Sequence, residues 1–170
     1  NIWVGTDCGI GLVKESRFEQ MELSAFDREM MIKSILPAKN RNYLWLGTNN
    51  GFSYYNISNS LIEFTIDSKD GLPGNEITVG SMFTDENDLL WIGTYGGGLN
   101  RLDLDREAFV RYQYDPANDN SLSDDQILVM LMDSCGLLWV GTRGGGLSRL
   151  DPATDQWQRF RNHSQDPASL

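Results

Sequence analysis

The stretch LLWVGTRGGGLSRLD, residues 137–151, has a near copy in LLWIGTYGGGLNRLD, residues 89–103. The two differ only at Ile92/Val140, Tyr95/Arg143 and Asn100/Ser148. A sentence written twice in one chain marks a repeated supersecondary unit. Its core, Trp-aliphatic-Gly-Thr, also occurs as IWVGT around Trp3 and LWLGT around Trp45. Successive tryptophans lie 42, 46 and 48 residues apart. That period fits either a four-stranded propeller blade or a pair of helices, and the residues between the tryptophans decide which.

Those residues form short apolar runs. The third unit reads ITVGSMFTD, LLWIGTY, GLNRLDL and AFVRYQY; the fourth reads ILVMLMDS, LLWVGTR, GLSRLDP and QWQRFRN. The runs are rich in β-branched and aromatic residues and bounded by Gly, Asp, Asn or Pro, which is the signature of strands. Recurrent Gly and Pro interrupt any window long enough for a helix. Four strands per repeat predict an all-β fold of β-propeller blades, each a four-stranded antiparallel sheet. The blades fall at 1–23 (partial), 30–67, 77–114 and 127–162, within one domain. Residue 1 starts at a second strand, and DPASL at 166–170 resembles DNSL at 119–122, just before the fourth blade. The expectation is about four blades forming an open fragment of a larger propeller. The first strand of each blade, as in ILVMLMD, is nearly all apolar and is expected innermost, covered on both faces. The repeated Trp is expected as a wedge between blades, since a buried indole removes ~150–250 Å² from water. Asn42, Asp88 and Gly136, each three residues before a Trp, suit a left-handed hairpin position.

Composition narrows the function. A net charge of −10 argues against nucleic acid and against an anionic membrane surface, and no segment is long and apolar enough to insert in a membrane. Cys8 and Cys135 belong to turns on opposite faces of a propeller, so no disulfide is expected between them. With His163 as the single histidine, neither a Ser–His–Asp triad nor a histidine-rich metal site can be assembled. No metal and no cofactor are expected.

The pattern L-W-[ILV]-G-T-x-x-G-G-L-x-[RY]-[LY]-[DN] resembles the two-component regulator propeller repeat. Asp85 and Asp133, six residues before their Trp, match the Asp of that repeat. The second blade departs, with Lys39 at this position and NNGF in place of GGGL. The linker DPANDNSLSDDQI is also similar to the family's inter-blade linker. The resemblance implies a periplasmic sensor in a membrane-anchored bacterial signalling protein with a histidine kinase or diguanylate cyclase output. It also implies a small-molecule or carbohydrate ligand and no enzymatic turnover in this segment.

Candidate ligand residues come from the words that vary. After Gly-Thr the tips carry Asn49 and Asn50, Tyr95, and Arg143; the linkers add Asn75, Glu76, Asp124, Asp125 and Gln126. A constant scaffold with variable tips is the organisation of a recognition surface. Tyr95 suits stacking on a sugar or base, and Arg143 suits a carboxylate or sulfate. The glycine triplets Gly96–Gly98 and Gly144–Gly146 precede strands rather than helices, so they read as turns and close backbone approaches, not phosphate loops. Asp115, Asn118, Asp119, Asn120 and Asp124 lack the spacing of a calcium loop and are ordinary turn formers. Two alternatives stay open. One is a catalytic lyase or hydrolase propeller using Asp125, Glu76 and Arg143. The other is a structural array that self-associates through open blade edges.

Overall fold

The computed structural model describes residues 2–7, 9–21, 31–66, 78–103, 106, 108–162, 165 and 169. All regular elements among them are strands. The first sheet holds β1 (Ile2–Thr6), β2 (Gly9–Lys14) and β3 (Arg17–Met21). The second holds β4 (Ile32–Pro37), β5 (Tyr43–Thr48), β6 (Gly51–Asn56) and β7 (Leu61–Ile66). The third holds β8 (Val79–Thr84), β9 (Leu90–Thr94), β10 (Leu99–Asp103) and β11 (Ala108–Tyr112). The fourth holds β12 (Ile127–Met132), β13 (Leu138–Thr142), β14 (Leu147–Asp151) and β15 (Gln156–Phe160). Each sheet is a simple meander of neighbours in chain order. This is the all-β, bladed architecture expected from the repeat, and none of the sheets closes on itself. The chain divides into two compact units, 1–82 and 83–170, with the division inside β8.

Each repeated residue has an assignable task. Trp91 is fully buried and packs with Leu99, Leu122, Ile127, Leu138 and Leu150 in the core of the second unit. At roughly 25 cal/mol per Å², such an indole contributes several kcal/mol. Its N–H cannot be left unpaired in that setting. It donates to Asp85 Oδ2 at 2.8 Å, and Trp139 donates to Asp133 Oδ2 at 2.8 Å. The same carboxylates accept backbone N–H groups across their own turns, Asp85 from Asn87 and Leu89, Asp133 from Cys135 and Leu137. One aspartate therefore closes the β-turn and latches the indole, which is the physical reason for its fixed spacing ahead of the Trp. The repeated Arg lies over the ring: the guanidinium carbon of Arg101 is 5.4 Å from the Trp91 centroid, and Arg149 is 5.4 Å from that of Trp139. In blade 2 Tyr54 takes this place and packs on Trp45 at 4.5 Å. The Thr of each repeat closes the next turn through its hydroxyl, donating to Gly9, Gly51, Gly98 and Gly146 carbonyls at 2.8–3.0 Å.

The Gly of Gly-Thr is a seat for the following blade. A Cβ at Gly5 would stand 2.7 Å from Ile32 Cγ2, and one at Gly47 2.8 Å from Val79 Cγ1. In the second unit a Cβ at Gly93 would stand 2.6 Å from Ile127 Cγ2. Each time a β-branched residue opening an inner strand fills the space the missing side chain leaves. Gly141 differs, because a Cβ there would meet only Val129 of its own blade, whereas one at Gly47 would meet Val79 of the following blade as well as Ser34 of its own.

Two expectations are corrected. The inner strand of blade 4 is not covered on both faces. A register shift between Ile127 and Val129 interrupts the alternation, and Leu128, Val129 and Leu131 are 51, 59 and 65% exposed. The left-handed hairpin position holds for Asp88 (φ 61°) and Gly136 (φ 78°) but not for Asn42. The blade 2 turn instead bonds Tyr43 N to Asn40 O and Asn42 N to Asn40 Oδ1. Cys135 is a free, exposed thiol; Cys8 and His163 lie outside the described residues.

These packing roles carry two expectations. Gly93→Ala will overpack against buried Ile127 and lower stability by about 1–3 kcal/mol. Gly141→Ala meets only the exposed and movable Val129, so its cost will be clearly smaller; equal costs in thermal melts would refute the seat. The second concerns acid. The Trp139 indole N–H, then the Leu137 N–H, hold the Asp133 carboxyl below the usual carboxylate range. The Thr154 hydroxyl, then the Ala153 N–H, do the same for Asp151. A lowered folded-state value gives stability that is present above the unfolded value near ~4 and is lost as pH falls through the folded value. Asp133→Asn will flatten the acid limb of Tm against pH; an unchanged limb would exclude Asp133 as its source.

Candidate functional site

The tips of blades 3 and 4 meet within the second unit. Tyr95 forms an antiparallel bridge with Gln126, and Arg143 N donates to Gln126 O at 3.0 Å. The Arg143 guanidinium carbon stands 5.4 Å from the Tyr95 ring centroid. Its Nη1 donates to Tyr95 Oη and, at 3.4 Å, to Gln126 Oε1. Tyr95, Gln126 and Arg143 thus form one cluster, in which Tyr95 and Gln126 are half-buried and Arg143 is exposed.

Asp124 and Asp125 join this cluster in another capacity. Asp124 Oδ1 accepts from Gln126 N at 3.0 Å, and its Oδ2 accepts from Gly144 N at 2.8 Å. The Asp125 carbonyl accepts from Gly96 N and Gly98 N, both at 3.0 Å, while its Oδ1 accepts from Tyr114 N at 2.7 Å. The two acids bind the glycine turns to the linker and hold the tips in place. Burial pushes the Asp125 carboxyl above the usual carboxylate range; the Tyr114 N–H opposes this, and the charge of Asp124 adds to it.

The glycine triplets are turns, as expected. Gly96, Gly98 and Gly146 have φ of 114°, 77° and 82°, where L side chains are strained. Within the triplets, Gly97 N donates to Thr94 Oγ1 and Gly145 N to Thr142 Oγ1, both at 3.1 Å. With Gly96, Gly98 and Gly144 held by Asp125 and Asp124, these turns offer no phosphate cradle.

The linker beneath the cluster is clamped from the outer strand of blade 4. Arg159 Nε donates to Ser121 O at 2.8 Å, and its Nη2 to Asp115 O at 3.0 Å and Asn118 O at 2.7 Å. Asn120 Oδ1 accepts from Trp157 N at 2.6 Å. Asp115, Asn118 and Asp124 each cap a backbone N–H two residues on, while Asp119 pairs with Arg159 at 3.5 Å. These are the turn roles read from sequence.

Of the remaining candidates, two belong to the first unit and two are not described. Asn49 belongs to the first unit, where its Oδ1 accepts from Met31 N at 3.0 Å and its N–H donates to Met31 O at 3.2 Å. Asn50 is exposed at the same tip. Asn75 and Glu76 lie outside the described residues.

Sequence reasoning missed two features. Asn100 and Ser148 vary between the repeats as the tips do, yet both are fully buried. Ser148 Oγ donates to Ser123 Oγ at 2.7 Å, and Ser123 N donates back to it at 3.1 Å. Neither amide atom of Asn100 has a partner among the described residues. A variable position in the interior of a strand was the available signal. The other feature is a groove of about 680 Å³ walled by Phe83, Asp85, Arg101, Met132, Asp133 and Asp151. None of the tip or linker candidates lines it, and its three aspartates already hold turns.

Comparison with known proteins agrees with this architecture. The family model described as two component regulator propeller matches residues 71–96 and 121–144. The extracellular domain assigned to a hybrid two component system of B. thetaiotaomicron superposes with a TM-score of 0.74 at 21% identity, over 98% of this chain and 22% of its own. A second extracellular domain from that organism, assigned to a one component system, gives 0.72 at 24% identity, over 95% and 20%. Virginiamycin B lyase from Staphylococcus aureus gives 0.63 at 14% identity, over 94% and 50%. At such identities the likeness is one of fold. The chain spans about a fifth of the length of the two extracellular domains. None of the curated proteins matches it.

Asp125 provides a test of the tip scaffold. A raised carboxyl value means that ionisation at neutral pH opposes folding, and the cost disappears as pH falls through the folded value. Asp125→Asn keeps an acceptor for Tyr114 N and removes the charge beside Asp124. Its Tm at pH 7 is expected at or above that of the parent, with the gap closing near pH ~4. Asp125→Ala loses the bond and is expected to cost about 0.5–1.5 kcal/mol. A destabilised Asp125→Asn with an intact fold would show that the charge itself is needed.

Proposed function

We propose that this chain is part of a ligand-sensing propeller in the extracellular or periplasmic region of a membrane-anchored bacterial signalling protein. The output of that protein is a kinase or cyclase domain, and the ligand is a small molecule or carbohydrate. The observation that carries the reading is the convergence of Tyr95, Gln126 and Arg143 at the tips of two family repeats. The repeat residues that stay constant are used up by the fold, and these exposed tip groups are what two otherwise near-identical blades present differently. The fold likeness to extracellular domains of one- and two-component systems supports the location and the sensing role.

Calorimetric titration of the chain with a panel of neutral and acidic saccharides tests the reading. Binding by at least one member is expected, weakened about two- to tenfold by Tyr95→Ala through loss of a stacking surface. Absence of binding across the panel, or binding indifferent to Tyr95, would overturn it.

A further inference from the structure

We infer that the ligand taken at this cluster carries an oxyanion, a carboxylate or sulfate, which pairs side-on with Arg143. The inference rests on the sensing reading above and adds the chemical class.

Its basis is the donor and acceptor balance of the cluster. Arg143 uses Nη1 alone on its neighbours, giving one hydrogen bond to Tyr95 Oη and one to Gln126 Oε1. Its Nε and Nη2 make no hydrogen bond among the described residues, and no carboxylate there pairs with it. That edge of a guanidinium is the one that takes an oxyanion with two parallel bonds. The phenol O–H of Tyr95, whose oxygen accepts from Arg143, points its proton elsewhere. The Gln126 side-chain amide nitrogen is likewise uncommitted. The cluster therefore presents donors, and a complementary ligand must present acceptors.

The alternative anion holder, the glycine turns, is spent. The N–H groups of Gly96, Gly97, Gly98, Gly144 and Gly145 all go to protein acceptors. Asp124 and Asp125, the acids of the linker that carries Gln126, hold backbone N–H groups and leave Arg143 unneutralised. The contacts to Tyr95 and Gln126 restrain the fork before a ligand arrives, which lowers the ordering cost of binding. The net charge of −10 opposes the approach of any anion. Affinity must then come from short-range pairing at Arg143 and not from the field of the whole protein.

The test compares D-galacturonate, D-galactose 6-sulfate and D-galactose in titrations against the chain, Arg143→Gln and Arg143→Lys. Arg143 is exposed, and circular dichroism melts verify that both variants fold. Binding of galacturonate or the sulfated sugar at least tenfold tighter than galactose is expected, with that preference lost in Arg143→Gln and reduced in Arg143→Lys. A preference for the carboxylate over the sulfate, or the reverse, identifies which oxyanion the fork takes. Galactose binding as tightly as the charged sugars, or a preference that survives Arg143→Gln, overturns the anion assignment. Should galactose bind in a Tyr95-dependent manner, the sensing reading stands alone; binding of none of the three overturns the assignment, and the wider panel then decides the sensing reading separately.

Discussion

A buried indole sets the terms for this structure. Trp91 is excluded from water, so its N–H needs an acceptor and its ring needs partners on every side. The acceptor is the carboxylate of Asp85, which also ties two N–H groups of its own turn. The partners come from the other three strands of the blade: Phe83 stacks at 6.3 Å, Tyr112 at 6.0 Å, and Arg101 lies over the ring from β10. Blade 4 repeats the arrangement around Trp139 with Asp133, Arg149 and Phe160. Because one residue joins turn, strand and neighbouring sheet, no member of the set can shift alone, and the same letters recur at the same spacing. Blade 2 shows what substitution requires. Where Lys39 replaces the aspartate, Asn40 closes the turn and Tyr54 covers the Trp in place of Arg.

Blade stacking follows from a second constraint, the missing side chain of the Gly-Thr glycine. A blade is apolar on both faces and cannot shield both by itself. At Gly93 the space is filled by Ile127, which brings the inner strand of blade 4 against blade 3 at close range. At Gly141 only Val129 of its own blade approaches, and Leu128, Val129 and Leu131 stand exposed. Their exposure marks the face of blade 4 that the described residues leave uncovered.

Strand positions and blade count were legible because the repeat spells them: period, Trp, Gly and Thr each have a local or nearest-neighbour cause. The scaffold role of Asp124 and Asp125 was not legible. Side-by-side acids in a linker look like ligand groups until the backbone N–H groups of Gly144 and Tyr114 are seen to need acceptors. Those partners are 20 and 11 residues away in sequence, a distance over which a pattern of letters carries no geometry. Burial of Asn100 was hidden for a related reason. Variation at a repeat position reads as exposure, whereas here one blade carries a hydroxyl pair, Ser123 with Ser148, and the other an amide in the equivalent place. The exposed face of β12 was hidden because ILVMLM says only that the strand is apolar, not that its register shifts after Ile127.

What distinguishes the cluster at Tyr95 and Arg143 from the rest of the surface is the division of labour around it. Every group nearby that could have flexed is engaged: the glycine turns by Asp124 and Asp125, the linker by Arg159 and Asn120, the hydroxyl of Thr142 by the turn it closes. Both Asp124 oxygens and Asp125 Oδ1 accept from backbone N–H groups, while donors of Arg143, Gln126 and Tyr95 are left over. A surface that had drifted without constraint would be expected to mix both kinds and to pair an exposed arginine with one of the chain's many carboxylates. An arginine set against an aromatic ring and unpaired by any carboxylate among the described residues is instead arranged to meet a charge supplied from outside.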